Sequence, residues 1–159
     1  MIKRIFTFGF FLLAGYGLHA QINPHAIGLR LGGDGDIGEA EISYQRALGA
    51  SNRLELDVGF GGNRRENRLY VVGIYQWHWN ITSGLNWYVG PGGVIGLYSY
   101  DRSDGYISVG LGGQIGMEFD FKSLGAPILL SIDARPMWDF IGDHSGLGWG
   151  AALGIRYTW

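Results

Sequence analysis

The residues of this chain that could do chemistry are charged ones standing at two-residue spacing. Arg53, Glu55 and Asp57 follow one another in "RLELDVGF", and Asp133 and Arg135 do the same in "SIDARP". Arg30, Glu41, Glu118 and Arg156 each occupy the polar phase of an alternating segment. Successive side chains of an extended strand point to opposite faces, so this spacing collects the charges on one side. Nine charged groups of both signs on one face could conduct ions or relay protons. They could equally pair with one another and fill space. Unpaired charges away from water are costly, which favours the pairing reading.

Other chemistry has weaker signals. His78 shares the polar phase of its segment with Gln76, and no second ligand stands at a telling spacing, so no metal site is expected. Asp143, His144 and Ser145 are consecutive in "GDHSG", a poor arrangement for a base and the nucleophile it must reach. The chain has no cysteine, which excludes disulfides, thiolate metal ligation and lipid attachment through a thiol. Nothing in the sequence implies a cofactor.

The elements that must position these residues are strands. Segment after segment alternates large apolar with small or charged residues. In "YISVGLGGQIGMEFDF", Ile107, Val109, Leu111, Ile115, Met117, Phe119 and Phe121 oppose Tyr106, Ser108, Gly110, Gly112, Gln114, Gly116, Glu118 and Asp120. Seven further stretches behave alike: "HAIGLRLG", "EAEISYQRAL", "RLELDVGF", "LYVVGIYQWHWN", "LNWYVGPGGVIGLY", "PILLSIDARPMWDF" and "GLGWGAALGIRYTW". Short turn-rich pieces join them, which implies an antiparallel up-and-down meander of eight strands. Pro91 lies inside one strand, where its missing N–H predicts a bulge near Gly90–Gly93.

The composition of the two phases decides which is the inside. The apolar phase is too bulky for the interior of an eight-stranded barrel, which is only wide enough for side chains to fill. The polar phase has too many glycines for a solvated surface. Turned inside out, both fit: small and charged side chains fill a narrow lumen, and large apolar ones face lipid. The fold class predicted is all-β, an eight-stranded antiparallel up-and-down transmembrane β-barrel. Trp77, Trp79, Trp87, Tyr98, Trp138, Trp149, Tyr157 and Trp159 would form an interfacial girdle. Gly112, on the lumen side, is expected to accept a small polar side chain more easily than Leu111 accepts a charge.

The first twenty residues differ in pattern from the rest of the chain. "MIKRIFTFGFFLLAGYGLHA" has basic Lys3 and Arg4, an apolar run and a small residue at Ala20. This predicts a signal peptide over 1–20, cleaved near Ala20, and a barrel over 21–159. Losing Lys3 and Arg4 takes the formal net charge from −2 to −4, which argues against a nucleic-acid partner. No stretch after the leader is continuously apolar for the length of a membrane-spanning helix.

The final strand ends on an aromatic residue, with Leu153, Ile155, Tyr157 and Trp159 in one phase. It resembles the C-terminal signal by which outer-membrane barrels are recognised by their insertion machinery. The chain from 21 onward resembles the small outer-membrane β-barrel proteins of Gram-negative bacteria. "GEAEISYQRALG", "IYQWHWNI", "LNWYVGPGG", "LGGQIGMEFDF" and "SIDARPMWDF" resemble segments of those of the Bacteroidota in particular. The resemblance implies location in the outer membrane, contact with its lipid, and assembly by the insertion machinery. It implies little about activity. Three roles follow as expectations: a non-enzymatic barrel with a structural or accessory role and a plugged lumen, a lipid-directed enzyme of the Ser/His kind known among such barrels, or a small subunit of a larger outer-membrane assembly. The loops near 34–37, 63–67, 100–105 and 141–145 are short for a dedicated receptor or adhesin.

Overall fold

The computed structural model describes residues 22–33, 38–62, 66–100, 103–141 and 146–159. The expected leader over 1–20 and the Asp143–His144–Ser145 run lie outside the described residues. Eight strands follow in order: β1 (His25–Gly33), β2 (Gly38–Ala47), β3 (Asn52–Gly62), β4 (Glu66–Thr82), β5 (Leu85–Tyr100), β6 (Ser103–Asp120), β7 (Ile128–Ile141) and β8 (Gly146–Thr158). A single 3₁₀ turn, Phe121–Leu124, joins β6 to β7, so Phe121 lies beyond the strand. Every strand pairs antiparallel with its chain neighbours, and β8 closes on β1.

Closure leaves no strand edge, the condition that hydrocarbon places on any sheet that crosses it. The seam runs from Ala26↔Thr158 to Gly33↔Ala151. Beyond it, His25 and Trp159 exchange backbone bonds at 3.3 and 3.1 Å. Starting at Tyr157, the register passes through Ile27, Tyr44, Leu56, Gly73, Gly93, Leu111 and Trp138. It returns to β8 at Leu147, ten residues from its start. That stagger tilts the strands and, with their number, sets a lumen that side chains can fill.

The two phases separate as the alternation requires. Ile27, Leu29, Leu31, Ile42, Leu56, Val58, Phe60, Ile95, Leu97, Leu111, Ile115 and Ile132 are exposed on the outer wall. Arg30, Glu41, Arg53, Glu55, Asp57, Glu118, Asp133, Arg135 and Arg156 are buried. Inward glycines make room for large neighbours. A Cβ on Gly59 would strike the Tyr70 ring, and one on Gly116 the Tyr88 ring.

Three expectations need correction. No bulge forms at Pro91: Ile74↔Gly92 and Trp77↔Val89 keep one register, and only the Tyr75–Pro91 and Gln76–Gly90 pairings drop out. The ring points outward, so the missing donor removes a rung instead of inserting a residue, and Gly90 lets the strand lie close against the Tyr75 carbonyl. Tyr98 does not join the outer girdle. It lines the lumen and stacks on Tyr106 with centroids 4.9 Å apart. Gly112 does not tolerate a side chain, because a Cβ there would collide with the backbone carbonyl of Pro136.

Candidate functional site: the ionic lumen

The nine charged residues singled out above come from six strands and meet inside the barrel. Their contacts form two linked groups. Arg30 on β1 donates from Nε to both oxygens of Asp133 at 3.1 Å and from Nη2 to Oδ1 at 2.5 Å, while its Nη1 lies 2.9 Å from Glu41 Oε2. Arg135 on β7 donates from Nη1 to Glu41 at 3.0 Å and from Nη2 to Glu55 at 2.6 Å, and also bonds Asp57. Arg156 on β8 reaches Glu55 Oε2 at 3.2 Å, Ser43 at 2.9 Å and Ser131 at 2.7 Å. Arg30 and Arg156 lie on adjacent strands but two residues out of register, Arg30 against Gly154 and Arg156 against Gly28.

The second group lies nearer the chain termini. Arg53 on β3 donates to Glu118 at 2.8 Å and to Gln76 at 2.8 Å, with its guanidinium 5.6 Å from the centroid of the Tyr88 ring. Gln76 donates to Gln114 at 2.5 Å, and Gln114 to Glu55 at 3.0 Å, which joins the groups. Glu55 is the hub, accepting from Arg135, Arg156, Gln114 and Gln45. Tyr70 donates to Glu41 at 2.8 Å, and Tyr88 to Asp133 at 3.4 Å.

Parity placed the charges on one face but could not name these partners. The polar phase contains Ser43, Gln45, Gln76 and Gln114, so their inward position was legible. Tyr88 falls inward by parity with its outward neighbour Trp87, but nothing in the sequence marks so large an aromatic side chain as part of the ionic lumen. Above the ions, Tyr70, Val72 and Ile74 form a small apolar cluster with Val94 and Met137 packed on it.

The chemistry of this arrangement is pairing. A proton relay through it would have to cross guanidiniums, which do not give up a proton in proteins. His78 lies between Gln76, 3.3 Å from Nε2, and Tyr88, whose ring is stacked at 5.2 Å. His25 Nδ1 is 2.8 Å from the Tyr44 hydroxyl. These are the two histidines among the described residues, and neither of these bonds is to a serine. Among the described residues no group of three or more His, Asp or Glu is placed to hold a metal.

At the closing strand, Leu153, Ile155, Tyr157 and Trp159 all face outward. Trp159 stacks on His25 at 5.4 Å and packs beside Tyr157 at 6.1 Å.

A closed eight-stranded antiparallel barrel with an apolar outer wall and an ion-paired lumen has the architecture of a transmembrane β-barrel. Solved structures carry the same fold. The chain is similar to the N-terminal β-barrel domain of Pseudomonas aeruginosa OprF, with a TM-score of 0.68 and 15% identity over 85% of this chain and 96% of that one. It is similar to Neisserial surface protein A, with a TM-score of 0.64 and 13% identity over 85% and 94%. It is also similar to Ail, the attachment invasion locus protein of Yersinia pestis, with a TM-score of 0.52 and 12% identity over 85% and 96%. No family model and no curated protein matches the sequence. At these identities the likeness is one of fold.

Proposed function

We propose that this protein is an integral outer-membrane barrel of a Gram-negative bacterium, Bacteroidota by its sequence resemblance, with a structural or accessory role and no enzymatic activity. The observation that carries this reading is the pairing of an apolar outer wall with a lumen filled by ion pairs. The wall suits acyl chains on every side. In the lumen, the four guanidiniums of the network each meet at least one carboxylate. The chain is exported with a leader cleaved near Ala20, and the outward set Leu153, Ile155, Tyr157 and Trp159 presents the signal read by the insertion machinery. Outer-membrane lipid is then its principal partner, and a larger membrane complex would engage part of the same apolar wall.

Two experiments test the reading. Protein expressed with its own leader should fractionate with the outer membrane and stay there through high-salt and carbonate washes. Release into the soluble fraction would reverse the assignment of the two faces. Protein reconstituted in planar bilayers should show no porin-like conductance. Large, steady and reproducible channels would refute the plug and favour transport.

A further inference from the structure

At the end nearest the chain termini the barrel opens into a vestibule of about 1010 Å³. The β2–β3, β4–β5 and β6–β7 turns and the Ile22–Asn23 segment bound it. Clefts that hold drug-sized ligands run to about 300–1,000 Å³, so it has room for two sugar rings. The ion network lies beneath it. Asn86, on its wall, stands opposite Glu118 in register, and Glu118 is paired to Arg53.

The lining is polar but carries no net charge. Its charged members among the described residues are Asp120 and Lys122. Both are tied to Asn23, which donates to Asp120 Oδ2 at 2.7 Å and accepts from Lys122 Nζ at 3.3 Å. An entering ion of either sign would meet a like charge beside its partner, so the vestibule disfavours ions.

Two amides leave hydrogen-bonding capacity in this lining. Asn80 and Asn86 face each other across β4 and β5. Asn80 Nδ2 donates to Asn86 Oδ1 at 2.9 Å and to the Thr82 carbonyl at 2.9 Å. That commits the nitrogen of one amide and the oxygen of the other. The Asn86 nitrogen and the Asn80 oxygen have no partner among the described residues. Asn86 is nonetheless only 4% exposed. The unpartnered polar atoms sealed from any space belong to other residues, so these two face the vestibule. A buried amide with an unused donor is costly unless water or a ligand completes it.

A donor and an acceptor side by side suit a group that is both, and a hydroxyl is both at one atom. An extended peptide would also need pockets for its side chains. The lining provides Ile22 and Ala50 as its apolar side chains, which form no such pocket. A sugar needs none. We infer that this vestibule binds a neutral, hydroxyl-rich sugar chain, whose hydroxyls accept from Asn86 Nδ2 and donate to Asn80 Oδ1. No aromatic ring lines the vestibule among the described residues. Recognition therefore rests on hydrogen bonds exchanged with water, and binding is weak, in the millimolar range. The site is independent of the structural role proposed above.

The test uses the full barrel in lipid nanodiscs, with NMR on the side-chain amides of its asparagines. Cellobiose is the neutral probe. Chitobiose in mildly acidic buffer is its cationic counterpart, cellobiuronate its anionic one, and acetyl-triglycine amide the peptide. Cellobiose should shift the Asn80 and Asn86 signals saturably, and the other three should bind about tenfold more weakly. Asn67, exposed at the opposite end of β4, should not move. Asn86→Leu removes the free donor and should abolish the saturable shift of Asn80. Gly49→Phe is the second variant, because Gly49 lines the vestibule and a Cβ there meets nothing within 4 Å. It should weaken binding while the gel mobility of the folded form is kept. No saturation with cellobiose, equal response to an ion or to the peptide, or a shift that survives in both variants would overturn the site and leave a hydrated mouth.

Discussion

Replacing Arg135 with Gln is the sharpest perturbation of the lumen. The side chain is 5% exposed and its two terminal nitrogens hold Glu41, Glu55 and Asp57 together. Removing the charge affects the three differently. Glu41 keeps Arg30 and Tyr70, and Glu55 keeps Arg156 and Gln114. Asp57 loses the one guanidinium within ion-pair distance of it among the described residues. Breaking a buried pair by removing one partner costs about 3–5 kcal/mol, and that is the loss expected for Arg135→Gln. Asp57→Asn should behave otherwise. It removes a carboxylate where carboxylates exceed guanidiniums and leaves an amide oxygen for Arg135, so its cost should stay within about 1 kcal/mol. In the double variant the stranded charge is gone, and the coupling between the two changes should reach about 1–3 kcal/mol in the stabilising direction. Urea unfolding in lipid vesicles, followed by tryptophan fluorescence and by the gel mobility of the folded form, gives all four stabilities. A loss below about 1 kcal/mol for Arg135→Gln, or strict additivity in the double variant, would refute the claim that the ion network organises the lumen.

Two further outcomes test other parts of the molecule. Leu111→Arg places a charge on the outer wall and should cost about 2–4 kcal/mol near mid-membrane depth, whereas Gly150→Ser, in the open part of the lumen, should cost less than about 0.5 kcal/mol; the reverse order in vesicle unfolding would exchange inside for outside. Deleting Trp159 removes its backbone exchange with His25 and its stacking, a loss of about 1–3 kcal/mol in vesicles. The same deletion should cut outer-membrane accumulation in cells far more sharply. Equal loss in both settings would make Trp159 part of the fold alone, and no loss in cells would remove its targeting role.

Much of the barrel is legible in the sequence because membrane strands repeat with a period of two. Arg53, Glu55 and Asp57 share a face whatever the register, and so do Leu54, Leu56 and Val58. Partner choice is not legible in that way. Arg30 reaching Asp133 on β7 and Arg135 reaching Asp57 on β3 depend on the stagger and on how long side chains cross a narrow lumen. β4 is also ambiguous, since "LYVVGIY" is apolar in both phases, and Tyr70, Val72 and Ile74 become the apolar part of the lumen. Glycine is the other blind spot. Gly112 and Gly150 look alike in the sequence, yet the first is pressed on the Pro136 carbonyl and the second borders open space. The difference comes from the neighbouring strand, which no local pattern encodes.

The central claim is that the bulky phase of every strand faces lipid. All six tryptophans, Trp77, Trp79, Trp87, Trp138, Trp149 and Trp159, stand in the outward phase, the most exposed being Trp149 at 59%. Trp fluorescence of the barrel in vesicles, quenched in turn by lipids brominated along the acyl chain and by acrylamide in water, therefore reads the claim directly. Brominated chains should remove most of the emission, and acrylamide should quench it only weakly. Emission that survives brominated lipid would place the tryptophans inside, and the inside-out barrel would be wrong.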